Sequence, residues 1–151
     1  MRCKSAVLLV GLMVCSTVLR AQKSTLLGDW REPTGSVLRI GYCGTEVCMK
    51  IISVSAHAPA TVDIHNLNPG QRNRALCNLE IGSHFSLTDP THASGGALYD
   101  PKSGRTYHGT MSVEGNDLKL RGYIGAPIFG KTETWHRVSE KIAVCASNGG
   151  R

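Results

Sequence analysis

Four cysteines, Cys43, Cys48, Cys77 and Cys145, carry the most distinctive chemistry in this 151-residue sequence. Thiols in even number can cross-link, bind metal or act as nucleophiles. The other two of the six cysteines, Cys3 and Cys15, fall in an N-terminal leader. Zinc is the weaker reading, because no C-x-x-C pair is present and thiolate sites suit a reducing compartment. Of the three ways to pair four thiols, Cys43 with Cys48 and Cys77 with Cys145 is expected. The segment Cys43-Gly44-Thr45-Glu46-Val47-Cys48 can close as a hairpin that brings its ends together. Loop entropy assigns such bridges roughly 2 and 4 kcal/mol, and their oxidation removes the thiol nucleophile.

The six histidines, His57, His65, His84, His92, His108 and His136, show neither i, i+4 pairing nor tight ligand spacing. Strand pairing is the one route that would bring His108 and His136 together. No Gly-x-Ser-x-Gly elbow occurs, and no Ser-x-x-Lys follows the leader. Asp100, before Pro101 and Gly104, reads as a turn-former, and Asp29 as a solvent-facing strand residue. Tyr99, Tyr107 and Tyr123 could line a cavity or stand half-buried on strands with wet hydroxyls. No catalytic set, metal site or cofactor is expected, and the protein is read as a non-enzyme.

The leader itself is a basic start, Met1-Arg2-Cys3-Lys4, followed by an apolar run from Ser5 to Cys15. This is the pattern of a secretory signal peptide over residues 1–21, with cleavage expected after Ala21 and less so after Ser16. Lipoprotein processing at Cys15 fits less well, because Val14 is not the small residue that it prefers. The run is too short for the roughly 20 residues of a membrane span, so an embedded protein is not expected. Arg2, Lys4 and Arg20 account for half of the formal charge of +6. With 5% aromatics and no basic cluster beyond Arg72 and Arg74, the rest lacks the footprint of a nucleic-acid binder.

The elements that would position these groups are strands. Alternation of period two recurs between Gly, Pro, Asn and Asp punctuation, and no helical period is sustained. Strands are expected at Gly28–Trp30, Ser36–Tyr42, Val47–Ala56, Leu76–Ile81, Ala97–Tyr99, Arg105–Val113, Leu118–Ile124 and Thr132–Val138. Either face of the third could be core. Pro59 to Arg74 is expected to be the longest mobile loop, and Thr88 to Gly96 a second loop. About eight short strands in tight hairpins predict one all-β domain over 22–141, with a polar tail over 142–151. A small antiparallel up-and-down barrel is favoured over a β-sandwich, because closure removes exposed edges.

Taken in order, several motifs resemble one family. They are Gly28-x-Trp30 with its following Pro-x-Gly, Cys43-x-x-x-x-Cys48, Asn68-Pro69 with Arg72-x-Arg74-x-Leu76, and Tyr99-Asp100-Pro101-x-x-Gly104-x-Thr106-Tyr107. Arg121-Gly122-Tyr123-Ile124-Gly125 leading to Thr134-Trp135-x-Arg137 completes the set. The resemblance is to the secreted bacterial family called domain of unknown function 2147, and it spans about residues 26 to 138. It implies a lipocalin-like barrel, export to the periplasm or beyond, and no catalytic residues to carry over. It also implies a closed end where Trp30 stacks against an arginine of a late strand, Arg137 first and Arg121 second. The segment Ser83–Ser94 lacks the family's Gly- and Trp-containing turn, and the tail carrying Cys145 suggests a clamp on Cys77 that the family lacks.

The function expected is binding of a small apolar or amphipathic molecule at the end opposite Trp30. The site would lie under the loops Pro59–Arg74 and Ala126–Gly130 and use Tyr99, Tyr107, Tyr123, Ile128 and Phe129. The rival is a structural or protein-interaction domain of the cell envelope, its barrel plugged by its own side chains. No particular partner protein is indicated.

Overall fold

The computed structural model describes residues 25–146; the expected leader, its cleavage site and the last residues of the tail lie outside them. The period-two segments form eight strands: β1 (Gly28–Arg31), β2 (Val37–Cys43), β3 (Glu46–Ser53), β4 (Glu80–Asp89), β5 (His92–Asp100), β6 (Arg105–Glu114), β7 (Asp117–Tyr123) and β8 (Lys131–Arg137). Each pairs antiparallel with the next, and β1 pairs with β8 through Trp30↔Arg137 and Arg31↔His136. The sheet is a closed up-and-down barrel, not a sandwich.

Connection length separates the two ends. At one end β2–β3, β4–β5 and β6–β7 turn tightly, and Gly44 and Gly115 supply the left-handed φ values of 72° and 61° that their turns require. Asp89 accepts the backbone N–H and hydroxyl of Thr91, each at 2.7 Å, and those bonds with that of His92 hold its carboxyl down at about 2. The long connection between β3 and β4 and the β7–β8 loop stand at the other end.

The expected loop over Thr88–Gly96 is corrected to a β4–β5 hairpin with Pro90 and Thr91 at its tip, and the short Leu76–Ile81 strand gives way to β4. Glycine is the reason. Gly95, at φ 75°, lies within the register shift between Ala93 and Gly96. Gly82, Gly96 and Gly109, on three adjacent strands, surround the Phe85 ring so closely that a Cβ at any of them would collide with it or with Met49. Residues that read as loop punctuation are here the space for an aromatic ring.

On β3, Val47, Met49 and Ile51 join the core, which decides the face that the sequence left open. They pack with Leu26, Trp30, Leu38, Ile40, Phe85, Met111, Leu118 and Trp135. Ile52, on the other face, is also buried but stands outside that cluster. The tail runs to it: Arg31 pairs with Glu140 at 2.6 Å, and the Cys145 N–H donates to the Ile52 carbonyl at 2.6 Å. The disulfides join Cys43 to Cys48 and Cys77 to Cys145, so the second bridge pins the tail to the β3–β4 connection.

At the closed end Trp30 is fully buried and donates its indole N–H to the Leu26 carbonyl at 2.9 Å. The Arg137 guanidinium lies 4.0 Å from the ring centroid. Arg121, the second choice, is elsewhere. It donates to the Pro127 carbonyl at 2.9 and 2.6 Å and to Thr132 at 2.9 Å, bracing the β7–β8 loop.

Candidate functional site

The packed core does not extend through the barrel. Above Phe85 the inward positions carry Leu38, Ile51, Ile81, Leu98, Leu120 and Trp135, and these line a cavity of about 760 Å³ that opens at the long-loop end. Gly122 helps to leave it empty: an added Cβ would find its nearest neighbours, Tyr107 and Leu98, at ordinary contact distances of 3.5 and 3.6 Å.

The β3–β4 connection forms one side of the mouth and is tied down, which corrects the mobile loop read from its composition. Asp63, fully buried, accepts the Tyr99 hydroxyl at 2.6 Å, the Asn66 amide at 2.7 Å and the Arg74 guanidinium at 2.8 Å. Arg74 also stands over the Tyr99 ring, 5.1 Å from its centroid. Burial pushes the Asp63 carboxyl up, but these hydrogen bonds and the Arg74 charge outweigh it and hold it below the ordinary aspartate value. Gly104 lets the connection dock, because a Cβ there would strike the His65 carbonyl. Asp100 shapes that turn, accepting the Lys102 N–H at 2.9 Å and the Ser103 hydroxyl at 2.7 Å.

Several polar groups at the mouth are paired with one another. Glu32 accepts from Thr34 and Ser36 and lies 3.6 Å from Lys102. Burial acts to raise its carboxyl, and those bonds and the lysine bring it below the ordinary value. Glu133 accepts the Trp135 indole N–H at 3.0 Å, leaving that buried ring on the cavity wall. Lys131 reaches the rim without an ion pair among the described residues.

Of the expected site residues, Tyr107 and Phe129 border the cavity, with Phe129 on the β7–β8 loop and 82% exposed. Tyr99 also borders it, but its hydroxyl is committed to Asp63. Tyr123 borders it as well, while its ring packs against that of His108 with centroids 5.6 Å apart. Ile128 is 78% exposed and is not part of the lining. Leu98, Leu120, Gly122, Lys131, Glu133 and Trp135 were not singled out from the sequence. The alternation Leu118, Leu120, Gly122 was the available signal, and it marks one inward face without saying whether that face meets atoms or space.

The histidines do not converge. His108 sits opposite Tyr123, whereas His136 pairs with Asp117 at 2.8 Å at the closed end. Among the described residues, no group of three or more His, Cys, Asp or Glu side chains could hold a metal ion.

A family model described as an uncharacterized protein conserved in bacteria, DUF2147, matches residues 28–137. Among solved structures, protein HP1028 from Helicobacter pylori, described as belonging to the lipocalin family, is similar with a TM-score of 0.68. The two chains are 25% identical over 76% of this chain and 84% of that one. Comparison with curated proteins returns no match.

Proposed function

The chain belongs to the DUF2147 family, and from that premise we propose that it is an exported, non-enzymatic barrel that binds a small apolar or amphipathic molecule in its open-ended cavity. The observation that carries this reading is the void itself. A barrel of this size can be filled by its own side chains, yet here a cavity of about 760 Å³ opens between aliphatic and aromatic walls and a polar rim. Apolar wall facing water forfeits about 25 cal/mol per Å² of burial, which a ligand would restore. The lipocalin-like fold supports the same class of role, and the unfilled interior weighs against a barrel that is only a structural plug. Two disulfides and the leader read from the sequence support export.

Trp135 is the built-in reporter, since it lines the cavity and Trp30 does not. Titration with fatty acids, lysolipids and a lipophilic dye is expected to shift its emission saturably. Gly122→Leu should fill the space and abolish binding while the fold is retained, and Phe129→Ala should weaken binding roughly five- to tenfold, about 1–1.4 kcal/mol. Mass spectrometry of extracts from protein purified from its native host would name the ligand class. No saturable binding across the panel, with no co-purifying molecule, would overturn the proposal. Intact-mass analysis of exported protein is expected to show a chain beginning near Gln22 with no free thiol.

A further inference from the structure

Five of the seven exposed large apolar side chains among the described residues stand on the two long connections of the open end, the others being Tyr42 and Val144. Ile124, Ile128 and Phe129 are exposed on the β7–β8 loop, and Ile64 and Leu67 on the β3–β4 connection. None of Ile64, Leu67 or Ile128 lines the cavity, so their exposure is not explained by a ligand inside it. They also cost nothing to the core, which ends below them.

Charge at this end is arranged around the tips. Lys131 and Arg105 are exposed and make no ion pair among the described residues, and exposed Arg72 donates only to the Asn66 carbonyl, at 2.9 Å. The acids of the same end are mostly spoken for. Asp63 and Glu32 are buried and hydrogen-bonded, Asp100 holds its own turn, and Glu133 accepts from Trp135; Glu80 remains exposed at the start of β4. The turns of the closed end carry Glu46, Asp89, Glu114 and Asp117, the first, second and fourth of them paired with His84, His92 and His136. The closed-end turns are therefore acidic, and the apolar tips of the other end stand with cations that have no ion pair among the described residues, an arrangement that would orient the barrel on a negative surface.

We propose that the open end docks on the surface of a bilayer containing anionic lipid. The tips from Ile124 to Phe129 enter the headgroup and acyl boundary, while Lys131, Arg105 and Arg72 meet the phosphates. Buried apolar area and cationic contacts add in such binding. Phe129 is both a tip and part of the cavity rim, so an amphipathic molecule leaving the bilayer would pass it into the interior. That last step rests on the ligand-binding reading; the docking does not.

Flotation of the full mature chain with vesicles tests it. Partition is expected onto phosphatidylcholine vesicles containing 30% phosphatidylglycerol, on the scale of roughly fivefold per cation over pure phosphatidylcholine, and it should fall with added salt. Ile128→Asp, outside the cavity lining, should cut partition tenfold or more while dye binding and thermal unfolding stay unchanged. Lys131→Glu should remove the preference for anionic vesicles. Tyr42→Ser, an exposed aromatic of β2 near the closed end, is the control that should change nothing. Gly122→Leu separates the two readings, because it should lose ligand and still float. No partition, equal partition onto both vesicles, or a concentration-dependent dimer that Ile128→Asp breaks apart would overturn the proposal, the last by naming a second copy as the occupant.

Discussion

Gly96, Gly109 and Gly122 are cross-strand partners on β5, β6 and β7, yet inward-facing glycine serves opposite purposes on the two sides of this row. On β4, β5 and β6, Gly82, Gly96 and Gly109 make room for the Phe85 ring, which is fully buried. On β7 Gly122 faces the cavity, and a Cβ there would meet only Tyr107 and Leu98, at ordinary contact distances of 3.5 and 3.6 Å. A missing side chain is thus a packing device where an aromatic ring is supplied to match it, and a cavity where none is. The Phe85 side, where Phe85 pairs with Val47, invests its burial in stability, and the Gly122 side borders a cavity that opens at the long-loop end.

Removing the ring is the most severe break of that contrast. Phe85→Ala should cost about 3–5 kcal/mol, because the three glycines cannot collapse into the vacated volume. Urea unfolding measures it, and a loss below 1 kcal/mol would show that the Phe85 side is not the stabilising half. Asp63→Ala should come next, at about 2–3 kcal/mol, since it leaves Tyr99, Asn66 and Arg74 without their shared acceptor. The loss should be local: amide exchange should accelerate across residues 61–76 and stay slow in β2, β3 and β6. Because the folded-state value of Asp63 is depressed, its contribution is present above the unfolded value and is lost as pH falls through the folded one. The lock on the mouth should therefore hold at neutral pH and open only in acid.

A smaller effect sharpens the account of the closed end. Arg137→Ala removes the guanidinium from the Trp30 face and should cost about 1–2 kcal/mol. Arg121→Ala, whose partners lie on the β7–β8 loop, should leave closed-end stability alone. Smallest of all, Gly122→Ala should change stability by no more than about 0.5 kcal/mol, because its Cβ would meet Tyr107 and Leu98 at ordinary contact distance, without clash. A destabilisation comparable to that of Gly96→Ala would mean that the Gly122 side is packed like the Phe85 side.

Strand content, hairpin connectivity and the Cys43–Cys48 bridge were legible in the sequence because each depends on neighbours along the chain, and that bridge leaves Cys77 and Cys145 as the other pair. Alternation along one strand, a left-handed glycine in a turn and two thiols flanking a hairpin are local facts, and eight of them in order specify an up-and-down barrel. The stacking of Trp30 on Arg137 could be anticipated only through family resemblance. What the tertiary structure alone decided is where the interior is solid and where it is empty. That depends on the summed volume of inward side chains from strands far apart in sequence, as with Phe85 of β4 against Gly96 of β5 and Gly109 of β6. Likewise Asp63 is an ordinary loop acid until Tyr99, 36 residues later, closes over it. Periodicity tells which way a side chain points; only the closed barrel determines what it meets there.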